Sequence, residues 1–304
     1  MLRILIINLG GLDRNMKNKL LYSSVFALVL LALLVIPLAF GEDVTSSVTI
    51  GPANPVTGVV TVTPSPVDLS TCGTVTVWCN ATITDGNGWN DIQAANATLW
   101  DIATTTEFGS DNSSDHYTNL SCVLGSGSGS ARPANCTFTV QYYANNATTW
   151  NCKIYANDTA GASSSNYTNF TMNPLISLDA ENAINFGSLS PGATSPADVN
   201  NTVTNCGNIG IDLQLTGTNL TNTSATVTNI SVDYVKYNLT TYDEDYATGM
   251  QSLYETGGMN WHFNLAKRTN GVMTSKTYWK ISIPGSIENL VYTGTINFTA
   301  VAAN

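Results

Sequence analysis

The sequence predicts an all-β chain, two tandem β-sandwich domains behind an N-terminal signal or anchor helix, and three observations carry that expectation. Only 11 % of the 304 residues are charged, against about 25 % in ordinary soluble chains; Asn, Thr and Ser, which suit strands and turns, supply the polarity instead. Beyond residue 41, apolar and polar residues alternate with period two over short runs bounded by Gly, Pro, Asn and Asp, the pattern of half-buried strands. No window of helical length after that point shows a 3.6-residue period.

The N-terminus reads as an export segment. Arg14, Lys17 and Lys19 precede residues 20–40 (LLYSSVFALVLLALLVIPLAF), which carry no charge, and Ala39-Phe40-Gly41 offers a small-residue cleavage site before Glu42. Met16 is an alternative start, which makes 1–15 an extension and 16–41 the signal peptide or membrane anchor. An uncleaved run would reach the ~20 residues needed to span a bilayer, and the basic flank would keep the N-terminus inside. Either way everything after Glu42 lies outside, at the cell surface or beyond it, and any membrane contact is through this segment alone. No cysteine follows the run to accept a lipid.

After an extended segment, 42–55, the first sandwich is expected over 56–173. In 74–84, Val75, Val77, Cys79, Ala81 and Ile83 share one face; 135–143 and 149–158 repeat the pattern with Cys136, Phe138, Val140, Tyr142 and with Trp150, Cys152, Ile154, Ala156. Further strands are expected near 57–63, 94–101, 117–124 and 166–173, with the Gly/Ser tract 125–130 as a flexible joining loop. The second sandwich, 174–304, is expected to use strands near 175–186, 197–205, 211–218, 227–238, 259–266, 276–284 and 292–301. Residues 243–258 lack strand character.

Six cysteines in an exported chain favour disulfides over metal, because no CxxC or histidine partner offers ligand spacing. Cys79 and Cys152 lie on inward phases, 73 residues apart, where a bond between the sheets of a sandwich would sit. Cys122 and Cys136 flank the Gly/Ser tract. Cys72 and Cys206 remain, to tie the two domains together, pair between molecules or stay free. Fifteen Asn-X-Ser/Thr sequons occur, and those at Asn80, Asn96, Asn119, Asn135, Asn157, Asn229, Asn238 and Asn297 fall on polar strand faces, where a glycan could stand in solvent. A plain preference for neutral surface residues produces the same pattern.

Charge narrows the partners. The full chain carries −10; without 1–41 it keeps 7 basic and 20 acidic residues, a net of −13. There is no basic run for nucleic acid, and two histidines, His116 and His262, leave little for histidine catalysis. No nucleophile elbow, zinc-protease helix, phosphate loop or dinucleotide fingerprint occurs, so no enzyme is expected. Asp243-Glu-Asp245 with Glu255 is the one acidic cluster for a glycosidase-like pair, and it reads more simply as a solvated loop.

Two candidate binding features remain. If Cys79 joins Cys152, Asp85, Asn87, Asp91 and Asp158 come to one end of the first sandwich, an oxygen-only set suited to Ca²⁺; the same residues also build Asp-Gly and Asn-Gly turns. Trp78 and Trp100 fall on outward phases, able to stack on sugars, dock a neighbouring subunit, or pack under a loop or the adjoining domain.

The residues Trp78-Cys79-Asn80, Asp85-Gly-Asn-Gly-Trp-Asn-Asp-Ile92, Thr149-Trp-Asn-Cys152 and Asn157-Asp-Thr-Ala-Gly161 resemble secreted Ig-like modules of archaeal surface proteins. They depart from antibody-type domains in having no core tryptophan on the third strand. Ile184-Asn-Phe-Gly187, Ser190-Pro-Gly192, Val203-Thr-Asn-Cys-Gly-Asn208 and Tyr292-Thr-Gly-Thr-Ile-Asn-Phe298 are similar to jelly-roll-like modules of the camelysin and biofilm-fibre group. The resemblance implies a structural component of an envelope, filament or matrix that associates with itself or with other envelope proteins. Open sheet edges and the segment 42–55 would allow strand exchange between subunits. The alternative expectation is a surface adhesin recognising glycan or a partner cell, with calcium as its only cofactor.

Overall fold

The computed structural model describes residues 13–33, 41, 43–226, 229–256 and 260–304. The chain forms two compact units, Met1–Gly51 and Pro52–Asn304. In the first, helix α1 spans Arg14–Leu33, and residues 43–51 are exposed and belong to no helix or strand. Most of the expected cleavage site and the end of the 20–40 run lie outside the described residues. Among the described residues, no helix is long and apolar enough to cross a membrane.

The second unit is built from antiparallel strand pairings around two cores. Its N-terminal half contains β1 (Val56–Thr57), β2 (Thr61–Thr63), β3 (Thr74–Thr84), β4 (Ile92–Asp101), β5 (His116–Asn119), β6 (Val123–Leu124), β7 (Ala131–Gln141), β8 (Ala147–Asp158) and β9 (Ser163–Met172). One sheet runs β1-β3-β7-β6, with β2 also pairing β3; the other runs β5-β4-β8-β9. Alternation explains the first core. Val77, Cys79, Ala81 and Ile83 of β3, Cys136, Phe138 and Val140 of β7, Ala95, Ala97 and Leu99 of β4, and Trp150, Cys152, Ile154 and Ala156 of β8 are all buried in one cluster. Trp150 is fully buried, with the rings of Tyr117 and Phe170 6.2 and 6.1 Å away.

The C-terminal half contains β10 (Leu178–Ala180), β11 (Val199–Asn205), β12 (Ile211–Gly217), β13 (Leu220–Thr221), β14 (Asn229–Ile230), β15 (Val235–Asn238), β16 (Gln251–Ser252), β17 (Asn260–Leu265), β18 (Thr274–Ile281) and β19 (Ile296–Ala302). Its sheets run β10-β11-β18-β15-β16 and β17-β12-β19, with β13 and β14 as a separate pair. Here the core is less completely covered: twelve of its twenty-five apolar members among the described residues are only partly buried, against five of twenty-eight in the first core. The difference concentrates around a cavity of about 920 Å³ whose apolar lining includes Ile184, Phe186, Leu189, Leu220, Ile283 and Ile296.

Several elements differ from the sequence reading, each for a local reason. The strand expected over 175–186 is reduced to β10, because Ile184 and Phe186 line the cavity without entering a ladder. The strand expected over 227–238 is broken by a 3₁₀ turn, Val232–Tyr234, where the Asn219 side chain accepts the Val232 N–H in place of a strand partner. The tract 125–130 is packed, not loose. Gly127 lies so close to Trp89 that a Cβ there would meet the ring at 2.5 Å, Gly129 accepts the Trp89 N–H, and the Arg132 guanidinium stands 5.4 Å from the ring centroid.

The two halves are stitched together by covalent and polar contacts. Cys72 is bonded to Cys206. Asn208, 1 % exposed, accepts the Leu175 N–H at 2.6 Å and donates to the carbonyls of Ala144 and Asn173, each at 3.0 Å. Three residues earlier, buried Asn205 donates to the carbonyls of Ile209, Leu265 and Ala266 and accepts the Gly207 N–H. Amides can serve both roles because each carries an acceptor oxygen and two donor hydrogens. Gly207 must lack a side chain: a Cβ there would meet the Leu175 carbonyl at 2.1 Å.

Candidate metal centre

Three carboxylates converge at the end of the first core. Asp85 follows the last residue of β3, Asp91 closes the 3₁₀ turn Trp89–Asp91 before β4, and Asp158 ends β8. Each offers an oxygen within 4.8 Å of the others, with Asp85 and Asp158 buried and Asp91 half-buried. The sequence brings them together through register. β4 pairs β8 so that Ile92, next to Asp91, faces Asp158. The Cys79–Cys152 bond then sets β3 against β8 six residues before Asp85 and Asp158 respectively.

The loops satisfy one oxygen of each buried carboxylate and leave the other bare. Asp85 Oδ1 accepts the Asn87 N–H at 2.8 Å, and Asp158 Oδ1 accepts the Ala162 N–H at 2.7 Å. Asp85 Oδ2 and Asp158 Oδ2 are buried with no hydrogen-bond partner. Asp91 Oδ1 accepts the Thr159 hydroxyl, and the Asp91 carbonyl accepts the Thr159 N–H at 2.9 Å. Among the described residues none of the three is in a salt bridge. Two full negative charges 4.8 Å apart repel by about 3.5 kcal/mol at an effective dielectric of 20. A bare buried carboxylate oxygen adds a desolvation cost on top.

The other expected residues take different places. Beside the three carboxylates, the Asn87 side-chain oxygen accepts the Ala53 N–H and its backbone N–H donates to Asp85. Trp78 is 42 % exposed, on the outer face of β3. Trp100 is not exposed: it is 6 % accessible because the segment after β4 folds back over the outer faces of β4 and β8. There the Glu107 carboxylate receives the Lys153 ammonium at 2.8 Å and the Tyr155 hydroxyl, while its carbonyl meets His116 Nε2 at 3.1 Å. Burial raises the Glu107 carboxyl, but Lys153 and Tyr155 outweigh it and hold it below the ordinary carboxylate range. Burial and the neighbouring Glu107 carboxylate push the Tyr155 phenol up, keeping it a donor.

The structure bonds Cys79 to Cys152, Cys122 to Cys136 and Cys72 to Cys206, and no cysteine is free among the described residues. Three disulfides are the signature of an oxidising compartment. Of the eight sequons singled out, Asn135, Asn157, Asn229 and Asn297 are exposed and Asn80, Asn96, Asn119 and Asn238 are half-buried. The Asn119 amide donates to the Thr137 carbonyl and the Asn238 amide to that of Gly249. These two side chains are already committed to the backbone.

The acidic run at 243–245 is engaged in local structure. Asp245 Oδ1 accepts the N–H groups of Ala247 and Thr248. Asp243 pairs with Lys280 at 3.1 Å. Lys280, 7 % exposed, also stands 3.6 Å from Asp198, whose side chain is fully buried. Sequence reasoning did not mark this Lys280–Asp198 pair. Lys280 falls on the outward phase beside inward Trp279, and Asp198 together with Asp243 and Glu244, all far away in sequence, meets its ammonium. Its charge next to apolar neighbours was the available signal. The chain matches no known protein-family model and no curated protein.

Proposed function

We propose that the chain is a non-enzymatic extracellular structural protein of a cell envelope, surface filament or matrix, exported by its N-terminal segment and built of two β-sandwiches. Copies associate by strand addition: residues 43–51 of one copy enter the open apolar cavity of the next and pair along β19. The observation that carries this reading is the incompletely covered second core. Its cavity holds about 920 Å³ beside β19, which ends its sheet. Such an edge is a template for another strand.

The occupant is argued from the same chain. Val44, Val48 and Ile50 share one period-two face of the segment when it is extended and are 88, 84 and 82 % exposed. Ser46 completes that face and Thr45, Ser47 and Thr49 form the other, so the segment alternates, with one polar interruption, as a half-buried strand does. Sugars on the exposed sequons would add solubility to a surface with few charges. The family resemblance of the two halves points the same way.

The test is sedimentation of the chain beginning at Glu42, at rising concentration in physiological salt. Association is expected, and deletion of 42–51 should abolish it, with V48D weakening it at least tenfold. A wild-type chain that stays monomeric at millimolar concentration, or a deleted chain that still associates, overturns the assembly mode. The exposed Trp78 favours a second reading, an adhesin that stacks on glycan. A glycan array on which W78A matches wild type removes it.

A further inference from the structure

We propose that Asp85, Asp91 and Asp158 bind one calcium ion that fastens the β3–β4 loop to the β8–β9 turn and so links the two sheets of the first core. The acidic cluster is not the argument by itself. The argument is that two of its oxygens, Asp85 Oδ2 and Asp158 Oδ2, belong to side chains 2 and 0 % exposed and have no partner. Buried polar atoms without partners are rare in native proteins. The two carboxylates that carry them converge: Asp85, Asp91 and Asp158 each offer an oxygen within 4.8 Å of the others. A missing protein cation does not explain them: none of the three is in a salt bridge among the described residues, and Arg132, opposite Ile83 in the β3–β7 ladder, directs its guanidinium to the Ile92 and Gly125 carbonyls and the face of Trp89.

The donors select the ion. All are oxygens, with no histidine or cysteine among them, which disfavours zinc and copper. Ligand oxygens on opposite sides of a calcium at about 2.4 Å are about 4.8 Å apart, and calcium tolerates irregular sets of six to eight oxygens. Magnesium needs near-octahedral geometry at 2.0–2.1 Å and dehydrates reluctantly. Three carboxylates supply charge enough, and water completes the shell. Oδ1 of Asp85 and of Asp158 is held by the Asn87 and Ala162 N–H groups, so both carboxylates are already ordered and the ion orders little on binding.

The ion adds a tie at the end of the sandwich to those made by the Cys79–Cys152 bond, by Arg132 on the Ile92 carbonyl and by Thr159 on Asp91. Asp85 belongs to the sheet containing β3, and Asp91 and Asp158 to the sheet containing β4 and β8. Trp89, between the first two ligands, is clamped under Gly127 and stands close enough to report on the site.

The test uses the chain beginning at Glu42, stripped with chelator and kept dilute so that association does not enter. Calorimetry should find one calcium per chain. Terbium, a calcium mimic, should luminesce on tryptophan excitation and be displaced by calcium. At a calcium concentration one hundred times the dissociation constant, the folded-to-unfolded ratio should rise about 100-fold. D158N is the decisive variant, because asparagine keeps the oxygen that accepts from Ala162 but removes one charge. In chelator it should melt at or above the wild-type temperature, since repulsion is relieved; in calcium it should melt below it, with binding weakened at least tenfold. D91N, at the half-buried ligand, should behave alike and covers the case of a D158N chain that does not fold. Absence of binding heat and of any calcium effect on melting overturns the proposal. So does tighter binding of magnesium than calcium, or a D158N chain destabilised equally with and without the ion, which marks a purely structural aspartate.

Discussion

Replacing Asn208 by alanine tests whether the two halves are joined by chemistry or only by adjacency. The side chain is 1 % exposed and makes three hydrogen bonds, one accepted from Leu175 and two donated, to Ala144 and Asn173. Ala144 belongs to the N-terminal half, while Asn173 and Leu175 form the crossing between the halves. N208A leaves one N–H and two carbonyls without partners, the Ala144 carbonyl buried and the Leu175 N–H and Asn173 carbonyl half-buried, at about 1–3 kcal/mol for each group kept from water. Water entering the small cavity recovers part of this, so the expected loss is about 3–5 kcal/mol. N208D should be worse than N208A: it keeps the acceptor for Leu175 but turns a negative oxygen toward two carbonyls. The assay is urea unfolding followed by fluorescence, with hydrogen exchange read on peptides covering 143–146 and 172–177. A loss under about 1 kcal/mol, or N208D more stable than N208A, would refute the reasoning.

Two further outcomes follow from buried charge. K280M should cost about 3–5 kcal/mol in thermal or chemical unfolding, because it strands the fully buried Asp198 carboxylate, and the double variant K280M/D198N should recover most of that; a single variant as stable as wild type would show that the pair contributes nothing. The second concerns acid. Burial raises the Asp101 carboxyl, but hydrogen bonds from Thr149, Asn145, the Ala103 N–H and Thr104 outweigh it and hold it below 3.8, and Glu107 is likewise depressed. A carboxylate lowered by folding stabilises above its unfolded value, about 4, and that stability is lost as pH falls through the folded value. Unfolding free energy should therefore fall as pH drops below about 5, and D101N should fall less steeply over the same range; identical slopes for D101N and wild type would remove Asp101 as a contributor.

How much of this was legible in the sequence depends on how local the determining contact is. Strands β3, β7 and β8 could be read residue by residue, because alternation depends only on neighbours two apart, and inward cysteines at positions 79 and 152 carried the pairing with them. The aspartates at 85, 91 and 158 were legible for the same reason, since each ends or begins a readable strand. Coverage was not. Trp100 and Lys280 both fall on outward phases, yet loops from distant sequence close over them, and no period records where a loop will fold back. The spacing places Asn87 beside the aspartates, but its bond from the distant Ala53 N–H depends on residues outside any readable strand. The tract 125–130 looks flexible in composition, but its glycine at 127 is what lets Trp89 approach the backbone. Asn205 and Asn208 resembled surface residues of an asparagine-rich chain; nothing short of the fold distinguishes an amide that holds three buried partners from one in water.

The disulfides described above are nested, 122–136 inside 79–152 inside 72–206. Any single backbone cut between residues 72 and 206 therefore leaves both pieces covalently attached, and a cut between 122 and 136 is spanned three times over. A protease that reaches an exposed loop in this span severs the chain without releasing a fragment. Each bond also limits how far the cut ends can separate, so a nicked molecule retains the connectivity of the intact one. On the extracellular role proposed above, where damage is not repaired by resynthesis in place, the order of the cysteines along the chain is a form of wear resistance.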